Sequence, residues 1–237
     1  KTLNIYGETP VVTRSTTGFA GITIKGLTQP LIGTVSGEVS VSGVTVKAEK
    51  SEQVSVLIEE IDNNAKVVVS EVVAETIAAT GGDNILYADD VKDLASLKAA
   101  LKSDIKVIDI TADFDANEAI VIDRSITING KGNTLTSSYN RVINFTAPEI
   151  NVEINDWSFI STAARNGQNG PRGLNIWGPE VHDAILTFNN CSVDFTDPSA
   201  NDWTYAINCG VNENNTITIN GGTFDVVQLS EFKDKRY

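Results

Sequence analysis

From about Lys106 onward, apolar and polar residues alternate in short bursts separated by Asn, Gly, Asp and Thr. A period of two sends alternate side chains to opposite faces of a strand, and the separating residues are those that favour turns. Four bursts share one frame: Ile126-Thr-Ile-Asn129-Gly130, Val152-Glu-Ile-Asn155-Asp156, Leu186-Thr-Phe-Asn189-Asn190 and Ile217-Thr-Ile-Asn220-Gly221. Each reads apolar, polar, apolar, Asn, then a residue tolerant of positive φ. Three run on alike, as Trp157-Ser-Phe159, Cys191-Ser-Val193 and Gly222-Thr-Phe224, and a second series interleaves them: Val142-Ile-Asn144-Phe145, Leu174-Asn175-Ile176 and Ala206-Ile-Asn208-Cys209. Each period therefore holds at least two short strands.

The anchors Asn129, Asn155, Asn189 and Asn220 lie 26, 34 and 31 residues apart, a period that signals a solenoid. A corner between strands leaves backbone groups unpaired. An amide side chain tolerates left-handed φ there, and can donate to one neighbouring turn while accepting from the other. The four asparagines are thus expected to stack as a turn ladder. Asn-Gly also closes simple hairpins, but the flanking strands lack hairpin length and register.

One segment departs from the strand pattern. Val91, Leu94, Leu97 and Leu101 recur at helical spacing, which predicts an amphipathic helix over about 90–101 with Asp89 or Asp90 as N-cap. Placed before a solenoid, such a helix would cap an otherwise open core and sheet edge. The run from Asp89 to Leu135, with this helix, the strand Ile126-Thr-Ile-Asn129-Gly130 and then Asn133-Thr-Leu135, resembles the opening of right-handed parallel β-helix domains of the pectate-lyase-like superfamily. Within it the chain is most similar to non-catalytic adhesive domains of bacterial surface proteins, over roughly Asp89 to Val227. The resemblance implies a fold far more than an activity.

The expected fold is therefore all-β: a parallel β-helix over 83–237, preceded by a β-rich region over 1–82. That first region is richer in Val, Ser and Thr, and contains echoes of the second: Leu3-Asn-Ile-Tyr-Gly7 matches Leu174-Asn-Ile-Trp-Gly178, and Ile22-Thr-Ile-Lys-Gly26 matches Ile126-Thr-Ile-Asn-Gly130. It reads either as a separate β-sandwich or as rungs of a preceding solenoid, the second pointing to a tandem array or a head-to-tail fibre.

Charge narrows the partners. With 31 acidic and 18 basic residues the net charge is −13, which repels phosphate backbones and anionic lipid alike. No apolar run approaches the about 18 residues that span a bilayer. Neither nucleic acid nor membrane insertion is expected. The sequence contains no methionine and opens Lys1-Thr2-Leu3, which reads as a processed chain or a segment of something longer. Cys191 and Cys209 set no disulfide framework and are expected as buried small hydrophobes, with a disulfide as the alternative.

Candidate chemistry is sparse. Polysaccharide-cleaving β-helices of the resembled superfamily use carboxylate clusters for calcium plus a basic residue, or paired aspartates. Here the single histidine, His182, sits beside Asp183, and Arg141, Arg165 and Arg172 lie beside Asn or Gly in apparent loops. Asp113-Phe-Asp115-Ala-Asn117-Glu118 begins like an EF-hand loop, but its sixth position is Glu118 and its twelfth Arg124, so it reads as a metal-free turn between strands. No catalytic set, metal or cofactor is expected. The binding candidates are Arg172, Trp157, Trp177, Trp203 and Tyr139, whose rings can stack on sugars or simply fill the core. The expected function is a non-enzymatic extracellular or cell-surface module, structural or adhesive, in a fibre or homo-oligomer or bound to glycans. The alternatives are a polysaccharide lyase or glycoside hydrolase built from Asp109, Asp113, Asp123, Glu153, Asp183 and Asp194, and a phage virion fibre or capsid-decorating protein.

Overall fold

The computed structural model describes residues 11–14, 22–164, 170–196, 204–209 and 214–224. The chain divides into two compact units, Lys1–Asp89 with Ala99–Ile105, and Asp90–Lys98 with Lys106–Tyr237.

Among its described residues the first unit holds nine short strands: β1 (Val11–Arg14), β2 (Ile22–Lys25), β3 (Ile32–Val35), β4 (Glu38–Ser42), β5 (Val44–Lys47), β6 (Val56–Ile61), β7 (Lys66–Ser70), β8 (Thr76–Thr80) and β9 (Ile85–Tyr87). β2 pairs with β5, β3 with β6 and then β8, and β4 with β7 and then β9, all parallel; β1 lies antiparallel on β2. From β2 to β7 the chain therefore returns to each sheet after three strands; β8 and β9 follow β6 and β7 after two, and Thr45 is bridged in parallel to Val73 where the third strand would fall. Parallel strands need such a long return path, and here the other two strands supply it. A core of aliphatic side chains, among them Leu27, Val35, Val46, Leu57, Ile58, Ile61, Val67 and Val69, is sealed from solvent. Each such side chain contributes roughly 1.5–3 kcal/mol by leaving water.

Between the strand series lies helix α1, Leu94–Lys102. It begins four residues later than the apolar spacing suggests, because Asp93 and not Asp89 or Asp90 is the N-cap. The Asp93 carboxylate accepts the Ser96 N–H at 2.7 Å, and the Asp93 carbonyl accepts the first helical bond, from Leu97 N–H, at 3.1 Å. The Ser96 hydroxyl reaches back toward the Asp93 N–H at 3.3 Å, completing a reciprocal capping arrangement. These bonds hold the Asp93 carboxyl below its ordinary range. Asp90 instead accepts from the Thr111 hydroxyl at 2.7 Å, and Val91 is bridged in parallel to Ile110.

The second unit contains β10 (Val107–Asp109), β11 (Phe114–Ala116), β12 (Ile120–Ile122), β13 (Ile126–Asn129), β14 (Thr134–Ser137), β15 (Arg141–Phe145), β16 (Asn151–Asn155), β17 (Ser158–Ser161), β18 (Arg172–Ile176), β19 (Ile185–Phe195), β20 (Tyr205–Cys209) and β21 (Thr216–Phe224). The three-strand return recurs. β10, β13, β16 and β19 pair in sequence; so do β11, β14, β17 and β19; so do β12, β15, β18 and β20; β21 pairs along β19, and every one of these pairs is parallel. The protein is thus all-β with parallel sheets, a pairing compatible with a parallel β-helix. Register stacks like on like: Ile108, Ile128, Ile154 and Phe188 form one buried column, and Leu135, Phe159 and Val193 another.

Phe114–Ala116 is a strand, and this corrects the reading of Asp113 to Glu118 as a turn. The two aspartates flank a residue that reaches inward, where the Phe114 ring meets Trp157 at 6.4 Å between centroids. Their D-x-D spacing is the outward phase of a strand and not a loop that folds around a cation.

Candidate functional site

The anchors of the repeated frame meet at one corner. Asn155 Nδ2 donates to Asn129 Oδ1 at 3.0 Å, Asn189 Nδ2 to Asn155 Oδ1 at 2.6 Å, and Asn220 Nδ2 to Asn189 Oδ1 at 2.7 Å. Each amide donates to the turn before it and accepts from the turn after it. The lowest amide, Asn129, donates to Asp109 Oδ1 at 2.8 Å, and Lys131 Nζ lies 2.8 Å from Asp109 Oδ2. Burial alone would raise the Asp109 carboxyl, but the hydrogen bonds from Lys131 and Asn129 and the lysine's charge outweigh it and hold the group ionised below its ordinary range. The backbone runs the opposite way: Ile110 N–H donates to Asn129 O at 2.8 Å, Gly130 N–H to Asn155 O at 2.6 Å, and Asp156 N–H to Asn189 O at 2.8 Å. Side chains therefore tie each turn to its predecessor while the backbone ties it to its successor.

Positive φ follows the anchor at Asp156 (48°), Asn190 (51°) and Gly221 (76°). The first turn differs, with the left-handed residues shifted to Lys131 (53°) and Gly132 (80°). It carries two extra residues between anchor and next strand, as Asn129 pairs with Asn155 while Leu135 pairs with Phe159. Gly130 is needed for space rather than torsion: a β-carbon there would lie 2.3 Å from Trp157 Cβ.

A second ladder, which the sequence does not announce as one, runs up β15, β18 and β20. Asn175 Nδ2 donates to Asn144 Oδ1 and Asn208 Nδ2 to Asn175 Oδ1, both at 2.6 Å. Asn175 and Asn208 are buried. The signal lay in their sequence separations of 31 and 33, which match the period of the first series.

The binding candidates separate. Trp157 is fully enclosed, its ring 4.8 Å from that of Phe159, so it is core and cannot stack on a ligand. Trp177 and Tyr139 stay 46% and 44% exposed. Trp203 lies outside the described residues, as does Arg165. Arg172 is not in a loop: it opens β18, in register with Arg141 of β15 and Tyr205 of β20. It is buried, donates to Gly170 O at 2.9 Å and has its guanidinium 4.7 Å from the Tyr205 ring centroid, a cation–π geometry. Arg141 is half-buried, and desolvation lowers its pKa from the ordinary guanidinium value.

The acids that a hydrolytic arrangement would draw on fall on different columns. Asp109 shares the asparagine ladder, Glu153 aligns with Thr127 and Thr187, and Asp194 aligns with Ile160. Glu153 accepts from Asn189 Nδ2 at 2.9 Å, and Asp113 accepts the Thr134 N–H at 2.7 Å. His182 is exposed, with Nδ1 2.9 Å from Asp183 Oδ2. Among the described residues of the second unit lie two open grooves. One, about 510 Å³, is lined by Lys131, Asp156, Ser158, Asn190, Ser192 and Thr223 among others; the second, about 460 Å³, by Asp115, Asn117, Thr136, Ser138 and Thr162. Their linings offer hydroxyl, amide and carboxylate groups. Cys191 and Cys209 are buried thiols with no disulfide between them, and burial pushes the Cys191 thiol up. No protein-family model, curated protein or solved structure matches this chain.

Proposed function

We propose that the chain is a right-handed parallel β-helix serving as a non-enzymatic, extracellular structural or adhesive module. The three-strand return supports the architecture, and the general preference of parallel crossovers for the right hand supports its handedness. The first unit, whose strands from β2 on pair parallel, is then a set of rungs of the same kind rather than a β-sandwich, which is built from antiparallel sheets. Helix α1 serves as the cap.

The observation that carries the functional reading is the unbroken column from Asp109 through Asn129, Asn155 and Asn189 to Asn220. Its polar groups are engaged in holding turn to turn. A catalytic column needs acids and bases left available to substrate, whereas Asp109 and Glu153 are bonded into the ladder. The groove lined by Lys131, Asp156 and Asn190 lies beside it, and its hydroxyl and amide groups fit hydroxyl-rich ligands such as glycans; among the described candidates the exposed rings of Trp177 and Tyr139 are the aromatic platforms.

Electron microscopy of the purified chain at several concentrations, paired with a glycan array and a polysaccharide-lyase and hydrolase assay, tests the reading. Filaments, regular oligomers or glycan capture without cleavage are the expected results. Cleavage abolished by Asp109→Asn or Glu153→Gln would replace it with an enzyme. Symmetric particles that bind a virion shell and no glycan would move it to a phage component.

A further inference from the structure

Among the described residues the ladder has two ends, and they are chemically unequal. At its foot stands an acid, Asp109, which only needs to accept. At its head stands Asn220, which must donate to Asn189 and is followed by Gly221. We infer that Asn220 is a site of spontaneous covalent modification, in which its side-chain amide is converted to aspartate or isoaspartate through attack by the Gly221 backbone nitrogen, while Asn129, the other described ladder asparagine that precedes glycine, is protected.

Two bonding directions carry the argument. In the turns below, the N–H that follows each anchor donates to the next anchor's carbonyl, as Gly130 does to Asn155 and Asp156 to Asn189. By that register the Gly221 N–H points to the open edge of β21, where no described strand follows. Asn129 is held at both ends of its amide, donating to Asp109 and accepting from Asn155, and its glycine nitrogen is bonded at 2.6 Å. Among the described residues Asn220 has one such tie, its donation to Asn189, and it is exposed. Gly221 has φ 76°, and no described residue fills the space where its β-carbon would stand, so the backbone there carries no side chain to shield the Asn220 amide.

The step balances without any oxidant or cofactor. Gly221 N loses its proton to solvent base and bonds to Asn220 Cγ; the Cγ–Nδ2 bond breaks and ammonia leaves, forming a five-membered succinimide. Water then opens the ring at one carbonyl or the other, giving aspartate or isoaspartate. The ladder's polarity makes the product consequential. At the head, a donor facing Asn189 Oδ1 becomes a second acceptor, and the new charge adds to a net of −13.

The test is incubation of the full folded chain at mildly alkaline pH, followed by site-resolved peptide mapping for isoaspartate and for the amide-to-acid mass change. A parallel sample in denaturant gives the intrinsic rate of each site. Asn166 and Asn169 also precede glycine and lie outside the described residues, so mapping counts them separately. In denaturant Asn129 and Asn220 should react at comparable rates. In the folded chain Asn220 should exceed Asn129 by at least about tenfold, since opening the interior turn costs more than about 1.4 kcal/mol. Asn220→Gln should lose the signal while leaving Asn129 as it was. Equal folded rates at the two sites, a faster Asn129, or an Asn220 that is silent when folded yet reactive in denaturant would each overturn the proposal.

Discussion

At the scale of single residues, direction matters more than identity in the ladder. Asn155 donates to Asn129 and accepts from Asn189, so Asn155→Asp replaces a donor by an acceptor between two amides. Leaving half-buried polar groups mismatched costs about 1–3 kcal/mol, and the denaturant midpoint of N155D should fall accordingly. Asp109→Asn keeps the acceptor that Asn129 needs and should cost less; a larger loss than N155D would refute the directional account. Asp109 also sets a pH window. Its folded pKa lies below the ordinary 3.8, so its stabilisation is complete above that value and is lost as pH falls through the depressed folded pKa. Asp93 is shifted the same way by its capping bonds. Wild type should therefore lose stability on acidification in this range, and D109N should lose less, because the Asp109 share is gone while the Asp93 share remains. An identical acid slope for the two proteins, read by thermal unfolding across the window, would remove Asp109 from the account.

At the scale of elements, the sequence disclosed the strands and the corner residue but not the local geometry that selects among near-equivalent positions. Alternation and the Asn frame located β13, β16, β19 and β21, because burying one face dictates period two. The helix start was misplaced because Asp89, Asp90 and Asp93 are all plausible caps by composition. Only the Ser96 hydroxyl, returning toward Asp93, distinguishes them. The D-x-D of β11 looked like a loop because its central Phe114 carries the inward phase in a strand of only three residues. Among the binding candidates, Trp157 could not be told from an exposed platform until its neighbour Gly130 was seen to stand against it. That contact is testable. A methyl at Gly130 would meet Trp157 Cβ at 2.3 Å, whereas one at Gly132 meets nothing within 4 Å and faces only the torsional strain of φ 80°. Gly132→Ala should cost roughly 1–2 kcal/mol, and Gly130→Ala more than that, as backbone must move in a packed turn. Chemical denaturation of the pair gives the order, and a reversed order would mean that the first turn relaxes freely around Trp157.

At the scale of the whole molecule, two electrostatic effects oppose one another as salt is added. Surface pairs such as Lys25–Glu49 at 2.6 Å, Lys98–Glu118 at 2.7 Å and Lys131–Asp109 at 2.8 Å weaken on screening. Exposed pairs of this kind contribute only about 0–1 kcal/mol each. Against them stands the mutual repulsion of a chain whose net charge is −13, which favours expansion and is relieved by the same screening. The stacked amides and the aliphatic columns carry no formal charge and respond to neither. Repulsion should therefore dominate the salt response: the thermal midpoint should rise between very low salt and about 0.15 M, where the screening length is about 8 Å. A midpoint that falls over this range would mean that the surface pairs outweigh the net charge, and would place more of the stability in the Lys131–Asp109 foot of the ladder than its amides supply.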